Sequence, residues 1–296
     1  MRVLLTGAAG QLGTALQRSC PARVDLIATD LAQLDLTNTA ACRELVAELQ
    51  PDWVLSAGAY TAVDMAQQQP ELAEAVNAAA PKAFAEALLM QGNGRLLQIS
   101  TDFVFSGMQG HPYGAQDPVA PLGVYGASKA RAEAAVFEVL GPERACVLRT
   151  SWLYGPVGKN FCLTMLKLHA IKAAAGEALN VVADQVGCPT HTAGLAAACW
   201  QVLAKDIGGM QQWSDAGAAS WYDFAVAIGE EAVALGILAT AAQVNPISTA
   251  EYPTPAQRPS YSLMDCSASR KALGLEPLHW RQGLRKVLTD IERGST

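Results

Sequence analysis

The chain has 296 residues, 51% of them hydrophobic, and a formal net charge of −6. That is enough apolar material for a large buried core, and the length points to about two domains. The acidic balance excludes an extended nucleic-acid-binding surface, so a phosphorylated ligand would need a local basic pocket. Seven cysteines (Cys20, Cys42, Cys146, Cys162, Cys188, Cys199 and Cys266) are scattered, odd in number and without a CxxC pair. They read as reduced buried thiols rather than a disulfide framework or a zinc site. The first strand candidate begins at residue 2, which leaves no room for a signal peptide, and apolar runs such as 195–200 are too short to span a bilayer. A cytoplasmic protein with no membrane partner is therefore expected.

Arg2–Thr6 reads as a buried strand, and the turn Gly7-Ala-Ala-Gly10-Gln-Leu-Gly13 leads straight into a helix over residues 11–19. Glycines at 7, 10 and 13 allow tight bending and close approach of the backbone to a pyrophosphate resting on the helix N-terminus. A second strand, Val24–Asp30, ends in an acid. Strand, glycine turn, helix, strand and acid together mark a dinucleotide site, where the turn alone would not. Asp30 suits a ribose 2′-hydroxyl and repels a 2′-phosphate, and Leu31-Ala-Gln33 offers no arginine to offset it. The cofactor is thus read as NADH, or as NADH and NADPH alike. The plainer reading of Asp30 is a solvated turn residue.

Further along, 38–50 reads as a helix opened by Thr37 or Asn38 as cap, and Trp53–Ala57 as a strand. Residues 71–91 form a long alanine-rich helix that Pro81 is expected to interrupt. Arg95–Ser100 is a strand with Thr101 at its C-terminal end, followed by a helix over 124–140 and a strand over 145–150. This alternation predicts a parallel sheet covered on both faces. Ligands bind outside the C-terminal ends of such strands, so Gly7, Ala57 and Thr101 should open onto one crevice. The second half is less regular: a short strand at 180–183, helices at 193–205 and 221–236, a proline-rich stretch at 252–259 and two final helices. The predicted class is α/β. A Rossmann-type, doubly wound parallel sheet occupies 1–152, and a smaller C-terminal substrate-binding lobe occupies 153–296, parts of it free to return to the main sheet.

The chemistry is carried by Tyr125-Gly-Ala-Ser-Lys129 and Ser100-Thr101-Asp102. Residues i and i+4 of a helix share a face, so Tyr125 and Lys129 stand together. An ammonium beside a phenol favours the phenolate, and is expected to lower the Tyr125 pKa from its usual value of about 10. Such a phenol is a general acid toward a carbonyl oxygen that is receiving a hydride, with Thr101 holding that oxygen. Alone, this spacing equally describes a surface pair on an amphipathic helix; the dinucleotide signature upstream favours catalysis.

GAAGQLG at 7–13, STD at 100–102 and YGASK at 125–129 together resemble the extended short-chain dehydrogenase/reductases. More narrowly, the chain resembles the dTDP-4-dehydrorhamnose reductase family in segments 59–64, 100–105, 121–126, 149–154, 160–161, 184–190, 220–223 and 252–259. RTSW (149–152), DQVGCPT (184–190) and YPTPAQRP (252–259) do the narrowing. The resemblance implies reduction of the C4 ketone of a dTDP-linked 4-keto-6-deoxy sugar by NADH or NADPH, giving dTDP-L-rhamnose. Tyr125 would donate the proton, Lys129 would lower its pKa and hold the nicotinamide ribose, and Thr101 would bind the C4 oxygen. Gly10, Gln11, Leu12, Asp30, Asp35, Leu36, Ala57, Gly58 and Ala59 would line the dinucleotide. Asp102, Trp152 and Asn160 would face the sugar or its nucleotide, and the donor fork of Arg258 would suit the diphosphate. Each of the less central residues also has a plainer role: Trp152 as a core aromatic, Asn160 or Asp35 as a cap, Arg258 as a solvated loop residue.

Several positions depart from the family pattern. Some members carry two glutamates that help form a magnesium site at a dimer interface; here those positions are Ala15 and Gly194. Without two hard oxygen ligands no structural metal is expected, and the chain should be a monomer or a weak homodimer lacking a magnesium bridge. His111, His169, His191 and His279 have no ligand spacing, and Asp64 and Asp184 have no histidine partner. Ser56-Ala-Gly-Ala59 replaces a more usual Asn-Ala-Ala-Ala, and Phe103 stands where tyrosine is common. Two other readings remain: an epimerase or dehydratase of the same superfamily, disfavoured because Asp102 is followed by Phe103 rather than a second acid, and a non-catalytic NAD(P)-binding regulatory subunit, disfavoured because Thr101, Tyr125 and Lys129 are all present.

Overall fold

Arg2–Thr6 (β1) is buried at four of its five positions, and in the computed structural model, which describes residues 1–294, it lies inside a six-stranded parallel sheet. The first half runs α1 (Gln11–Arg18), β2 (Asp25–Thr29), α2 (Thr39–Leu49), β3 (Trp53–Ser56), α3 (Val63–Ala66), α4 (Pro70–Glu74), α5 (Ala80–Gln91), β4 (Arg95–Thr101), α6 (Val124–Arg144) and β5 (Ala145–Thr150). The second half adds β6 (Leu153–Tyr154), α7 (Phe161–Ala175), β7 (Leu179–Val182), β8 (Val186–Gly187), β9 (Thr190–His191), α8 (Thr192–Ala204), β10 (Gly209–Gln212), β11 (Ala219–Ser220), α9 (Trp221–Ala234), β12 (Val244–Ile247), α10 (Ser267–Leu273) and α11 (Trp280–Gly294). Main-sheet order is β10-β5-β4-β3-β1-β2. The direction of winding reverses between β1 and β3, which puts the ligand crevice of a doubly wound sheet at their C-terminal ends.

Side chains alternate across a strand, and here both faces are covered, so the strands are apolar nearly throughout. Val3, Leu5, Trp53, Leu55, Leu97 and Leu148 feed the core under α1 and α8, while Leu4, Val54, Leu96 and Ala145 feed the core under α2, α5 and α6. A third core, built on Tyr154, Phe224, Ile228, Trp280 and Leu284, holds α7, α9 and α11 together as the lobe. Two elements of the second half lie on the main sheet: α8 covers one face, and β10 pairs with β5 in parallel register, Gly209 opposite Cys146. Gly208-Gly-Met-Gln-Gln212 has neither alternation nor β-branched residues, so this edge strand exists by pairing rather than by propensity.

The helix expected over 71–91 is continuous, and the effect of Pro81 takes another form. Residues Ala75–Ala79 widen into a π-helical turn between α4 and α5, with αR angles at both junctions. Proline has no N–H and its ring clashes with the carbonyl four residues back, and widening the turn accommodates both. Among the described residues, no helix is long and apolar enough to cross a membrane.

Candidate active site

The glycine turn owes its shape to close approaches that a side chain would block. Gly7 is in the left-handed region (φ 71°), and a Cβ there would lie 2.6 Å from Gly58 Cα, so the loops after β1 and β3 meet across the crevice. A Cβ on Gly13 would lie 2.2 Å from Gly7 O, which is why α1 can press onto the turn. Helix α1 has no side-chain cap at Gly10, leaving its first N–H groups for an anion. Gln11 is half-buried there; Leu12 is buried in the core and offers the crevice only its backbone. Asp30 Oδ2 accepts from Ala9 N at 2.6 Å, which seats the carboxylate at the rim of the turn. Leu36 Cδ1 packs where a Gly58 Cβ would stand, and Thr6 Oγ1 accepts from Gly58 N at 3.1 Å, fixing Ala57-Gly58-Ala59. Asp35 is exposed and its carboxylate accepts from Thr37 N (2.9 Å) and Thr37 Oγ1 (2.8 Å), which holds it below the usual carboxylate range. Its contacts are those of a turn; Asn38 caps α2. An uncapped helix end, a backbone-lined turn and a rim carboxylate fit the diphosphate and a ribose of a dinucleotide.

Thr101 ends β4 and Tyr125 opens α6. The Tyr125 side chain lies beside that of Thr101. Gly126 makes this possible, since a Cβ there would lie 2.2 Å from Phe103 O and hold the helix off the loop. Phe103, in place of a tyrosine, packs edge-on against Tyr125 with centroids 5.7 Å apart. Lys129 is 2% exposed, one turn along the same helix.

The expected lowering of the Tyr125 pKa by Lys129 is corrected by the structure. Burial pushes the phenol up to about 12; the neighbouring Thr101 hydroxyl opposes this and the Asp102 charge adds to it. Burial also pulls Lys129 down to about 8, with the Glu133 charge opposing. Desolvation of each charged form outweighs the neighbour.

On the substrate side, Asp102 is buried, with Oδ2 accepting from Ser262 Oγ at 2.6 Å and Oδ1 from Thr101 Oγ1 at 3.2 Å. Burial raises its carboxyl to about 6 despite these bonds, and its contact toward the crevice is with Thr101. Trp152 is half-buried and stacked on Trp221. Asn160 does two things: Oδ1 caps α7 by accepting from Leu163 N at 2.9 Å, and Nδ2 donates to Gln11 Oε1 at 2.9 Å. Arg258 grips Asp64 with both terminal nitrogens (3.1 and 2.8 Å), so a diphosphate would share or displace that carboxylate.

Several residues that shape the site had no motif to announce them. Glu133 lies one turn beyond Lys129; its carboxylate accepts from Arg149 at 2.9 and 2.7 Å and from Ser100 Oγ at 2.6 Å, a buried ion pair joining catalytic helix, β4 and β5. Asn77, in the π turn, accepts from Tyr60 N (2.8 Å) and donates to Ser128 Oγ (3.1 Å), bridging the loop after β3 to α6. Its only signal was a polar residue four positions before a mid-helix proline. Gln67 accepts from Val124 N at 2.8 Å and so caps the catalytic helix. His191, given no role, is buried against Asp215 (Nδ1 to Oδ1 2.8 Å), and a Cβ on Gly194 would lie 2.6 Å from its ring, so a longer side chain at 194 would collide with it.

A switch-point glycine turn, a threonine–tyrosine contact and a lysine one turn on define an extended short-chain dehydrogenase/reductase. Within that class, residues 1–293 match the family described as RmlD substrate binding domain, and the chain belongs to it. It is 38% identical over 294 residues to dTDP-4-dehydrorhamnose reductase of Aggregatibacter actinomycetemcomitans, covering 97% of this chain and 98% of the relative. It is 40% identical over 297 residues to a Streptomyces antibioticus protein named probable dTDP-4,6-dihydroxy-2-methyloxan-3-one 4-ketoreductase, covering 98% and 96%. The crystal structure of dTDP-4-dehydrorhamnose reductase from Bacillus anthracis in complex with NADP matches with a TM-score of 0.88 at 34% identity, covering 98% of this chain and 99% of that one.

Proposed function

We propose that this protein reduces the C4 ketone of dTDP-4-dehydro-L-rhamnose to give dTDP-L-rhamnose, using NADH or NADPH. The observation that carries the reading is the juxtaposition of Thr101 and Tyr125 at the C-terminal edge of the sheet, with buried Lys129 one turn behind. When bound, reduced nicotinamide supplies the hydride. Tyr125, protonated at neutral pH because burial holds its pKa at about 12, gives its proton to the ketone oxygen as that oxygen becomes an alkoxide, a far stronger base than a phenolate. Thr101 turns its hydroxyl proton from Asp102 to the same oxygen and keeps it in line with the phenol. Lys129, still mostly charged at neutral pH, offsets the phenolate that forms and reaches the nicotinamide ribose. Gly7, Gly10, Gly13 and the N-terminus of α1 hold the diphosphate, and Asp30 holds the adenosine ribose. Trp152 and Asn160 face the sugar, and Arg258 takes the dTDP diphosphate. No step calls for a metal.

The 40% identity to a ketoreductase named for a different dTDP sugar supports a second reading, reduction of another dTDP-4-ketosugar at the same centre. Epimerase or dehydratase chemistry is less well supported, because Asp102 is a single acid and is turned into the protein. Turnover with dTDP-4-dehydro-L-rhamnose against other dTDP-4-ketosugars tests the choice: a kcat/KM lower for the rhamnose precursor than for a competitor would overturn it.

A further inference from the structure

Three family segments, 149–152, 184–187 and 220–223, converge on one side chain. Thr150 pairs with Thr101 in the sheet, so Trp152 emerges two residues beyond the partner of the carbonyl-binding threonine. Its backbone is in the left-handed region (φ 46°), where bulky residues are outliers and where outliers gather at ligand sites. The indole of Trp152 lies on that of Trp221, centroids 3.6 Å apart and planes within 6°. Trp221 Nε1 donates to Gln185 Oε1 at 3.2 Å. Gln185 Nε2 donates to Thr249 Oγ1 at 3.0 Å, and that hydroxyl donates to Asp184 Oδ1 at 2.6 Å. Trp221 also opens α9, whose N-terminus is clamped by the Ser220–Asp223 capping box, and Phe161 packs on its ring at 4.7 Å. On the edge of Trp152 that bears Nε1, Gly187 leaves the needed room: a Cβ there would lie 2.9 Å from Nε1 and Cε2.

We propose that Trp221, oriented by Gln185 and helped by Gly187, is a positioning residue for the reduction: it holds Trp152 in its strained conformation and so sets how the sugar ring lies against Thr101 and Tyr125. The inference rests on the reading that Trp152 faces the sugar. A pre-set aromatic wall serves hydride transfer because misplacement of a ring by about 1 Å can cost about 100-fold in rate. Without the stack, Trp152 would relax to an ordinary backbone conformation and take its ring out of place.

The test compares wild type, Trp221→Leu, Trp221→Phe, Gln185→Leu and Trp152→Leu in the full chain. Stacked indoles give an exciton-coupled circular-dichroism band, so loss of that band reports the broken stack independently of activity. Trp221→Leu and Gln185→Leu should weaken or lose the band, raise KM for the dTDP-4-ketosugar about tenfold and lower kcat about tenfold, with cofactor KM within about twofold. Trp221→Phe should recover most of the turnover by keeping a ring to stack on. Loss of the band with unchanged sugar KM and kcat would overturn the proposal, even if thermal stability fell. If Trp221→Leu does not fold, Gln185→Leu, which keeps the ring, decides alone. No wild-type turnover, or no effect of Trp152→Leu, would sink the reading beneath the proposal; normal wild-type turnover and a damaged Trp152→Leu beside intact Trp221 and Gln185 variants would sink the proposal by itself.

Discussion

Asn160 Nδ2 donates to Gln11 Oε1 at 2.9 Å, joining residues 149 positions apart. The contact ties the turn before α7 to the glycine turn of the sheet, and Gln11 Nε2 strengthens it by donating to Lys159 O at 3.3 Å. Gly158, at φ 78°, brings that turn close enough that a Cβ would touch Gln11 Cγ at 3.0 Å. The glycine turn and the turn before α7 are therefore one mechanical unit at this point.

Separating the two roles of Asn160 follows directly. Asn160→Ala loses the α7 cap as well as the link, and should lower stability by about 1 kcal/mol and the melting temperature by about 3 °C. Gln11→Ala loses only the link; its melting temperature should stay near wild type while cofactor KM rises several-fold. Calorimetry beside initial rates checks both. Equal destabilisation by the two variants would mean that the link is structural only.

Lys129 predicts a conflict between stability and activity. Its pKa is depressed from 10.5 to about 8, so the fold prefers the neutral amine. The stability this contributes is full above 10.5 and is lost as pH falls through about 8. At pH 7 the buried charge therefore costs the fold about 3 kcal/mol, at about 1.4 kcal/mol per pKa unit. Lys129→Met should be more stable than wild type at neutral pH by up to about that amount and nearly inactive. Denaturant melts at pH 7 showing a less stable variant would contradict this.

The same group governs the alkaline limb of the rate. Reduction should fall with an apparent midpoint near 8, as Lys129 loses its proton, and not near 12, where Tyr125 titrates. Lys129→Arg keeps the charge through this range and should remove the limb from whatever activity survives. A wild-type profile flat to about pH 10 would show that the lysine charge is not needed.

Under the proposed function, Asp30 is the residue that chooses between the nicotinamide cofactors. Its carboxylate is seated on Ala9 N at 2.6 Å, and an acid at the end of the second strand repels a 2′-phosphate. Asp30→Ala should raise the NADPH-to-NADH ratio of kcat/KM by about tenfold or more. Steady-state rates with each cofactor check it, and an unchanged ratio would remove Asp30 from cofactor selection.

Much of this site could be read from the chain because its chemistry is local. Gly7 to Gly13, Asp30 and the Tyr125–Lys129 pair each lie within one turn, one strand end or one helical step, where spacing translates into geometry. Contacts between distant segments were not legible. Glu133 and Arg149 form a buried pair only because α6 packs across β5, and no pattern in either segment names the other. The rise in the Tyr125 pKa was hidden for a related reason: spacing places the ammonium beside the phenol but says nothing of the desolvation that outweighs it. The β10 edge strand and the π turn at 75–79 were likewise products of tertiary packing acting on weak or conflicting local preferences.

The most direct test is consumption of reduced nicotinamide with dTDP-4-dehydro-L-rhamnose by wild type and by Tyr125→Phe, with NADH and NADPH in parallel. Stoichiometric oxidation by wild type, at least about 100-fold slower in Tyr125→Phe with the cofactor still bound, is the predicted result. Near-normal turnover in Tyr125→Phe, or none in wild type with either cofactor, would contradict the account.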